Sequence, residues 1–398
     1  MDRIHYLDSN ATTPVDPRVR EAMIPYFTER FANPSAFYRF AQEVRGEVEK
    51  ARERVARLIH AEPEEIIFTS GGTEADNTAI KGVAFALRDK GKHIITSAVE
   101  HHAVLHACQY LEKFGFEITL LPVDGYGIVD LTALTRAIRE DTILITIMHA
   151  NNETGTIEPI EEIARIAHER GILVHTDAIQ TVGKLVIDVK AMGLDLLSLS
   201  GHKMYGPKGI GALFVRKGVT IDPLVHGGHH ERNRRAGTEN VPGIVGLGMA
   251  AEVAQAESPH NERRIRALRD RLEQGILERI PAVVVNGHPE KRLFNTLNCC
   301  FTGIEGEGIL IGLDFEGVCA SSGSACTSGS LDPSHVLLAL GVPHEVAHGS
   351  LRLSLNKFNT EEDVDTVIEV LPKIVGRLRA MSPLWDAEKK IMKIHGKA

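Results

Sequence analysis

The chain has no run of the ~18 apolar residues that a membrane-spanning helix requires. It has no excess of positive charge. Lys and Arg number 45 against 53 Asp and Glu, a net charge of −8 at neutral pH, which argues against a nucleic-acid binder. There is no internal repeat, no low-complexity tract and no Cys-x-x-Cys pair. The five cysteines are Cys108, Cys299, Cys300, Cys319 and Cys326. Their odd number in a long chain argues against a disulfide framework or a structural zinc site and leads us to expect a reducing, cytoplasmic setting. The N-terminus carries Asp2, Arg3, His5 and Asp8 and does not read as a signal peptide. What is present is ordinary globular composition, 43% hydrophobic and 25% charged over 398 residues, enough for a sizeable core and two domains.

The first two-thirds of the sequence alternates short apolar runs with amphipathic stretches. Ile66 to Thr69, Ile94 to Ser97, Glu117 to Leu121, Ile143 to Met148, Leu173 to Thr176, Leu194 to Leu199 and Gly211 to Val215 read as strands. Thr73 to Lys90, Ala103 to Phe114, Leu131 to Arg139 and Ile160 to Arg170 read as helices. This alternation predicts an α/β domain with a mostly parallel sheet covered on both faces. A charged helix from Glu262 to Arg279 bridges to a smaller α+β domain. Its strands are Ala282 to Asn286, Asn295 to Phe301 and Leu351 to Leu355, and its helix is Glu361 to Met381. The expected division is 15–260 for the large domain, 1–14 with 261–381 for the small one, and 382–398 as a tail, either a surface helix or frayed.

In open parallel sheets ligands bind beyond the carboxyl ends of the strands, so the polar residues there carry the chemistry. Ser70-Gly71-Gly72-Thr73 stands between strand and helix, where glycines allow close approach and free amides receive a phosphate. It lacks the lysine of a P-loop and the full dinucleotide fingerprint, and a glycine-rich turn with Thr73 as a helix cap remains open. Asp177 follows Leu173 to Thr176 and either caps the next helix or pairs with a buried cation such as a protonated ring nitrogen. Lys203, in Ser200-Gly201-His202-Lys203, lies in a tight polar turn where desolvation makes a lysine a Schiff-base candidate rather than a solvated loop residue. Residues 320–330, ASSGSACTSGS, are too small and polar to pack a core and predict an exposed, mobile loop that carries Cys326. The other four cysteines lie in strand or helix contexts and are assigned to packing. The adjacent pair His229-His230 beside Glu231 cannot place its side chains well around one ion, so no metal is expected. A phosphate cup, an acid, a lysine and a loop thiol together imply pyridoxal 5'-phosphate, whose electron-sink chemistry the protein orients.

The motifs LDSNATTP, NPSAF, FTSGGTEADN, VEHHAV, HANNETG, HTDAIQTVGK, SGHKMYGPKGIGAL, RRAGTEN, SSGSACTSGS and GSLRLSLNKF follow one another from about Tyr6 to about Arg379. In these the chain resembles the cysteine desulfurases, the NifS/IscS-like, class-V aminotransferase branch of the fold-type-I pyridoxal-phosphate enzymes. The resemblance implies a seven-stranded-type sheet and a homodimer. It implies that Lys203 holds the cofactor, Asp177 pairs with its ring nitrogen and Gln180 bonds the ring's phenolic oxygen. Gly72, Thr73, Ser200 and His202 would hold the phosphate, joined by Thr238 from the partner subunit. His101, rather than His102, would stack on the ring and handle protons. Asn152 would lie against cofactor and substrate. With Arg352 it would take the substrate carboxylate, and Asn10 would lie near them. Cys326 would be the nucleophile.

These residues imply that L-cysteine gives up its sulfur to Cys326, leaving L-alanine and a persulfide for an acceptor such as an iron–sulfur scaffold protein. A selenocysteine lyase or a related aminotransferase would share Lys203, Asp177 and the phosphate cup. The loop thiol argues against the aminotransferase and not against the lyase. A non-catalytic scaffold presenting Cys326 would need neither Lys203, His101 nor Arg352.

Overall fold

A computed structural model describes residues 4–322, 332–389 and 391–392. A seven-stranded sheet forms its centre. Across it the strands run in the order Ile66–Thr69, Gly211–Val215, Leu196–Ser200, Leu173–Asp177, Thr142–Thr146, His93–Ser97 and Glu117–Leu121. Only Gly211–Val215 runs against the rest. Five of the seven strands are buried along their whole length, which is why they read as continuous apolar runs rather than alternating ones. Glu117–Leu121 closes one edge and keeps Glu117 and Leu120 exposed.

Helices cover both faces. Arg39–Leu58 turns Val44, Val48, Ala51 and Val55 inward at helical spacing. Against it lies Val241–Arg279, a single helix of 39 residues capped by Asn240, whose side chain accepts the Gly243 N–H. The sequence predicts this helix only from Glu262. Its first turns, from Val241 to Ala251, are apolar all round and carry Gly243, Gly246 and Gly248, so they have no polar face to reveal the period. Those glycines serve packing: a Cβ on Gly248 would lie 2.6 Å from Ala51 Cα.

The second half of the same helix turns Ile265, Leu268, Leu272 and Ile276 into a different apolar cluster. That cluster also holds Leu7, Leu297, Leu351, Leu353 and the buried face of the Glu361–Met381 helix. It packs on a three-stranded antiparallel sheet, ordered Ser350–Ser354, Thr296–Phe301, Val283–Asn286. His5–Tyr6 pairs with Val318–Cys319 beside this sheet, and the chain then passes through Asn10 and Ala11 to the large sheet.

The described residues beyond Met381 include a short hairpin. Trp385–Asp386 pairs antiparallel with Ile391–Met392, and the Arg379 guanidinium stacks 3.9 Å from the Trp385 ring centre. The single tryptophan anchors the segment by packing, a contact the lysine-rich composition hides. No helix among the described residues is long and apolar enough to cross a membrane.

Candidate active site

The carboxyl ends of the parallel strands converge on a cavity of about 310 Å³. It is lined by Asn10, Gly72, Thr73, His101, Asn152, Asp177, Gln180, Ser200, His202, Lys203 and Arg352, with Ala11, Met148, Ala150 and Ile179 supplying apolar wall. Of the residues picked from sequence, all of these come together. Thr238 does not. It is exposed and lines a separate hollow with Ser70, Gly237 and Asn240. Cys326 lies outside the described residues; before it the chain is tied to the cavity-lining Arg352, and after it to Glu153, the neighbour in sequence of the cavity-lining Asn152. Ser321 exchanges backbone hydrogen bonds with Arg352, and Ser334 Oγ donates to Glu153 Oε2 at 2.5 Å.

The phosphate cup opens with Gly71 at φ +152°, a conformation that favours glycine. Gly72 begins the Gly72–Ala86 helix without a side-chain cap, so its first amides keep no intrahelical partner. A Cβ on Gly72 would lie 2.1 Å from Ile179 Cδ1, so glycine lets the helix end close on this wall with the Ile179 side chain as it stands. Glu74 holds the turn: its carboxylate accepts the Ser70 N–H at 2.9 Å and pairs with Arg235.

Asp177 ends its strand, buried, with Oδ1 accepting the Ile179 N–H at 2.9 Å. Desolvation raises its pKa to about 6, against the opposing effects of that hydrogen bond and of the Lys203 charge. Asp76 lies fully buried behind it, and burial together with the charge of Asp177 drives Asp76 well up. Lys203 Nζ donates to the carbonyl oxygens of Asn10 at 2.5 Å and Ala11 at 2.7 Å. His202 Nδ1 lies 3.1 Å from Thr12 Oγ1. His101 caps the next helix, its Nδ1 accepting the Ala103 N–H at 3.1 Å, which places the ring proton on Nε2. Burial first, then the Lys203 charge, lowers His101 to about 4, so it is neutral at pH 7.

Arg352 is 2% exposed. Its Nη2 pairs with Asp8 Oδ1 at 2.9 Å and its Nη1 donates to Asn152 O at 3.1 Å, while Nε has no partner among the described residues. Sequence reasoning passed over Asp8 and Glu153. Both stand inside the quoted motifs, and their roles come from contacts across more than a hundred residues.

The remaining candidates fall to structure. Cys108, Cys299 and Cys300 are buried, and burial pushes all three thiols up, which keeps them protonated and inert. Cys319 is only half-buried. Glu231, beside His229-His230, is spent on a bidentate pair with Arg52 at 2.8 and 2.9 Å and on the Phe68 N–H.

Residues 5–367 match the family model described as aminotransferase class-V. The chain is 60% identical over 387 residues to a cysteine desulfurase IscS of Methanosarcina thermophila, covering 97% of this chain and 96% of that protein. It is 55% identical to a cysteine desulfurase IscS of Clostridium botulinum, strain Hall, over 97% and 98% of the two chains. Its fold superposes on a NifS-like protein with a TM-score of 0.89 at 40% identity, over 94% of this chain and all of that one. A structure described as SspA in complex with cysteine matches with a TM-score of 0.79 at 41% identity, over 89% and 99%. The chain belongs to the cysteine desulfurase family.

The cofactor of this family of class-V aminotransferases is pyridoxal 5'-phosphate. The desulfurase-family cavity offers what that molecule requires: uncapped helix amides with Ser200 and His202 at one end, a buried carboxylate at Asp177, and a primary amine at Lys203. The buried Nε of Arg352, without a partner among the described residues, adds a donor for an anionic group.

Proposed function

We propose that the protein is a cysteine desulfurase that moves the sulfur of L-cysteine onto Cys326 and releases L-alanine. The observation that carries this reading is the convergence of Lys203, Asp177 and Arg352 on one cavity, with Ser321, shortly before Cys326 in the chain, hydrogen-bonded to the Arg352 backbone. The bound cofactor supplies an electron sink for the substrate's α-carbon.

Each residue then has a defined task. Lys203, whose amine rests on the carbonyls of Asn10 and Ala11, would hold the cofactor. Asp177 holds the cofactor's ring nitrogen in its charged form, and that cation in turn brings the carboxyl's pKa back down. Gly72, Thr73, Ser200 and His202 hold the phosphate, and Gln180 bonds the ring oxygen. Arg352 and Asn152 receive the substrate carboxylate, with Asn10 beside them; the charge-assisted contact to Arg352 fixes the amino acid's orientation. His101 offers Nε2–H to the cavity, and it takes up a proton only when Nδ1 releases the Ala103 N–H. Cys326 attacks the substrate sulfur, so that the C–S bond breaks and an S–S bond forms. The enzyme thiol and cysteine together become enzyme persulfide and alanine.

The protein acts in the cytoplasm as a homodimer and passes the persulfide sulfur to an acceptor protein, an iron–sulfur scaffold. Two features favour a second copy: Thr238 is exposed beside the cup, and Phe27, Phe31, Phe37 and Tyr38 form an exposed aromatic set, with Phe37 98% exposed. The test is incubation of the cofactor-loaded protein with L-cysteine and a reductant. Equal amounts of alanine and sulfide are expected, and no alanine would overturn the proposal.

A further inference from the structure

Gln180 is gripped from both ends. Its Oε1 accepts from Lys184 Nζ at 3.0 Å, and its Nε2 donates to the carbonyl oxygen of Asn10 at 3.0 Å. A lysine ammonium can only donate and a backbone carbonyl can only accept. Both contacts therefore select the same orientation of the amide. Turning it over would set an NH2 against an ammonium and an oxygen against an oxygen. The second N–H of Gln180 has no hydrogen-bond partner among the described residues, and Gln180 lines the cavity.

Lys184 is brought to this position by the local chain. Gly183 takes φ +81°, and a Cβ there would lie 2.8 Å from Met204 Cβ, so glycine makes the reversal that brings Lys184 back over Gln180. Ser258 Oγ then ties the Lys184 carbonyl to the long helix at 2.8 Å. The location is unfavourable for a cation. Burial, and then the charges of Lys203 and Arg352, lower Lys184 to about 7, so the ammonium that fixes the amide prevails below that pH. An apolar side chain would pack here without that cost, so the ammonium is held for its contact with the Gln180 oxygen.

We infer that Lys184 is a positioning residue that locks the Gln180 amide so that an N–H, not the carbonyl, meets the cofactor's ring oxygen. This rests on the proposed cofactor site. A donor on that oxygen competes for the electron density that otherwise binds the proton shared with the Lys203 nitrogen. It lowers the pH at which the proton leaves, and losing the donor raises it.

The test is a spectroscopic cycle on the cofactor-loaded protein, reading the pH midpoint of the cofactor's visible absorption band. Lys184→Met raises the midpoint by about one pH unit, tenfold in proton affinity, in the otherwise native chain. In a Gln180→Leu background the same substitution produces a much smaller shift, because the group it acts through is gone. Lys184→Arg, which keeps a charged donor, leaves the midpoint near the native value. Equal shifts from Lys184→Met in both backgrounds would show a through-space effect of its charge and overturn the inference. So would a Lys184→Arg midpoint displaced as far as that of Lys184→Met, a comparison that needs only Lys184→Arg to fold if the Gln180→Leu chain does not. A native protein that develops no visible band with the cofactor would instead refute the site reading itself.

Discussion

Ser321 and Arg352 exchange two backbone hydrogen bonds: the Ser321 N–H donates to Arg352 O at 3.2 Å and the Arg352 N–H to Ser321 O at 2.6 Å. The segment that carries the proposed nucleophile therefore departs from the backbone of the residue proposed to hold the substrate carboxylate. Arg352→Ala removes a buried charge-assisted donor and leaves Asp8 without its partner. Substrate affinity is expected to fall by about 2–4 kcal/mol, with the cofactor still bound. Titrating the cofactor's absorption with L-cysteine checks this, and unchanged affinity would assign the carboxylate to another residue.

Lys203→Ala removes the amine that now rests on the Asn10 and Ala11 carbonyls. The variant is expected to fold, to lose the absorption of covalently held cofactor and to lose turnover. Normal desulfuration by that variant would contradict the role of Lys203.

Gly72→Ala tests how the fold shapes the site. Its Cβ would sit 2.1 Å from Ile179 Cδ1 and 3.6 Å from Ser200 Cβ, so either the Ile179 side chain turns aside or the helix end withdraws from the cup. A loss of about 1–3 kcal/mol in stability is expected, as for other overpacked sites, together with weaker cofactor retention. Thermal melts with and without cofactor measure both, and a native-like melt and affinity would contradict the close approach.

The cofactor-free protein should show a pH signature of Asp177. Its folded pKa of about 6 lies above the ordinary 3.8, so between these values the folded state binds the extra proton. The resulting stability is fully present below about pH 4 and is lost as pH rises through about 6. Measured against Asp177→Asn, the native chain should lose stability over that window and level off above it, a difference that includes the response of Asp76, whose carboxyl the Asp177 charge raises. A difference that stays flat from pH 4 to 7 would contradict this.

The parts of the molecule legible in the sequence are those set by local pattern. Ile66–Thr69, Glu117–Leu121 and Gly211–Val215 have the bounds read from their apolar runs, because turn-forming or charged residues flank them sharply. Asp177, Ser200 and Lys203 stand out in the sequence because they are polar residues at or just beyond the ends of buried strands, and the structure places all three at the cavity. What was not legible depends on tertiary context. The Gly-rich start of the Val241–Arg279 helix lacks an amphipathic period because it is buried on all sides. The hairpin at Trp385 depends on an Arg379 contact that composition does not reveal. Asp8 pairs with Arg352 across 344 positions, and no local pattern encodes such a pair.

The most direct test of the central claim is a mass measurement. The cofactor-loaded protein, exposed briefly to L-cysteine without reductant and then digested, should show one added sulfur on the peptide that contains Cys326. Cys326→Ala should bind cofactor and L-cysteine, with stability changed by no more than about 0.5 kcal/mol as at an exposed site, and should release no alanine. An unmodified Cys326 peptide, together with alanine release by Cys326→Ala at the native rate, would contradict the account.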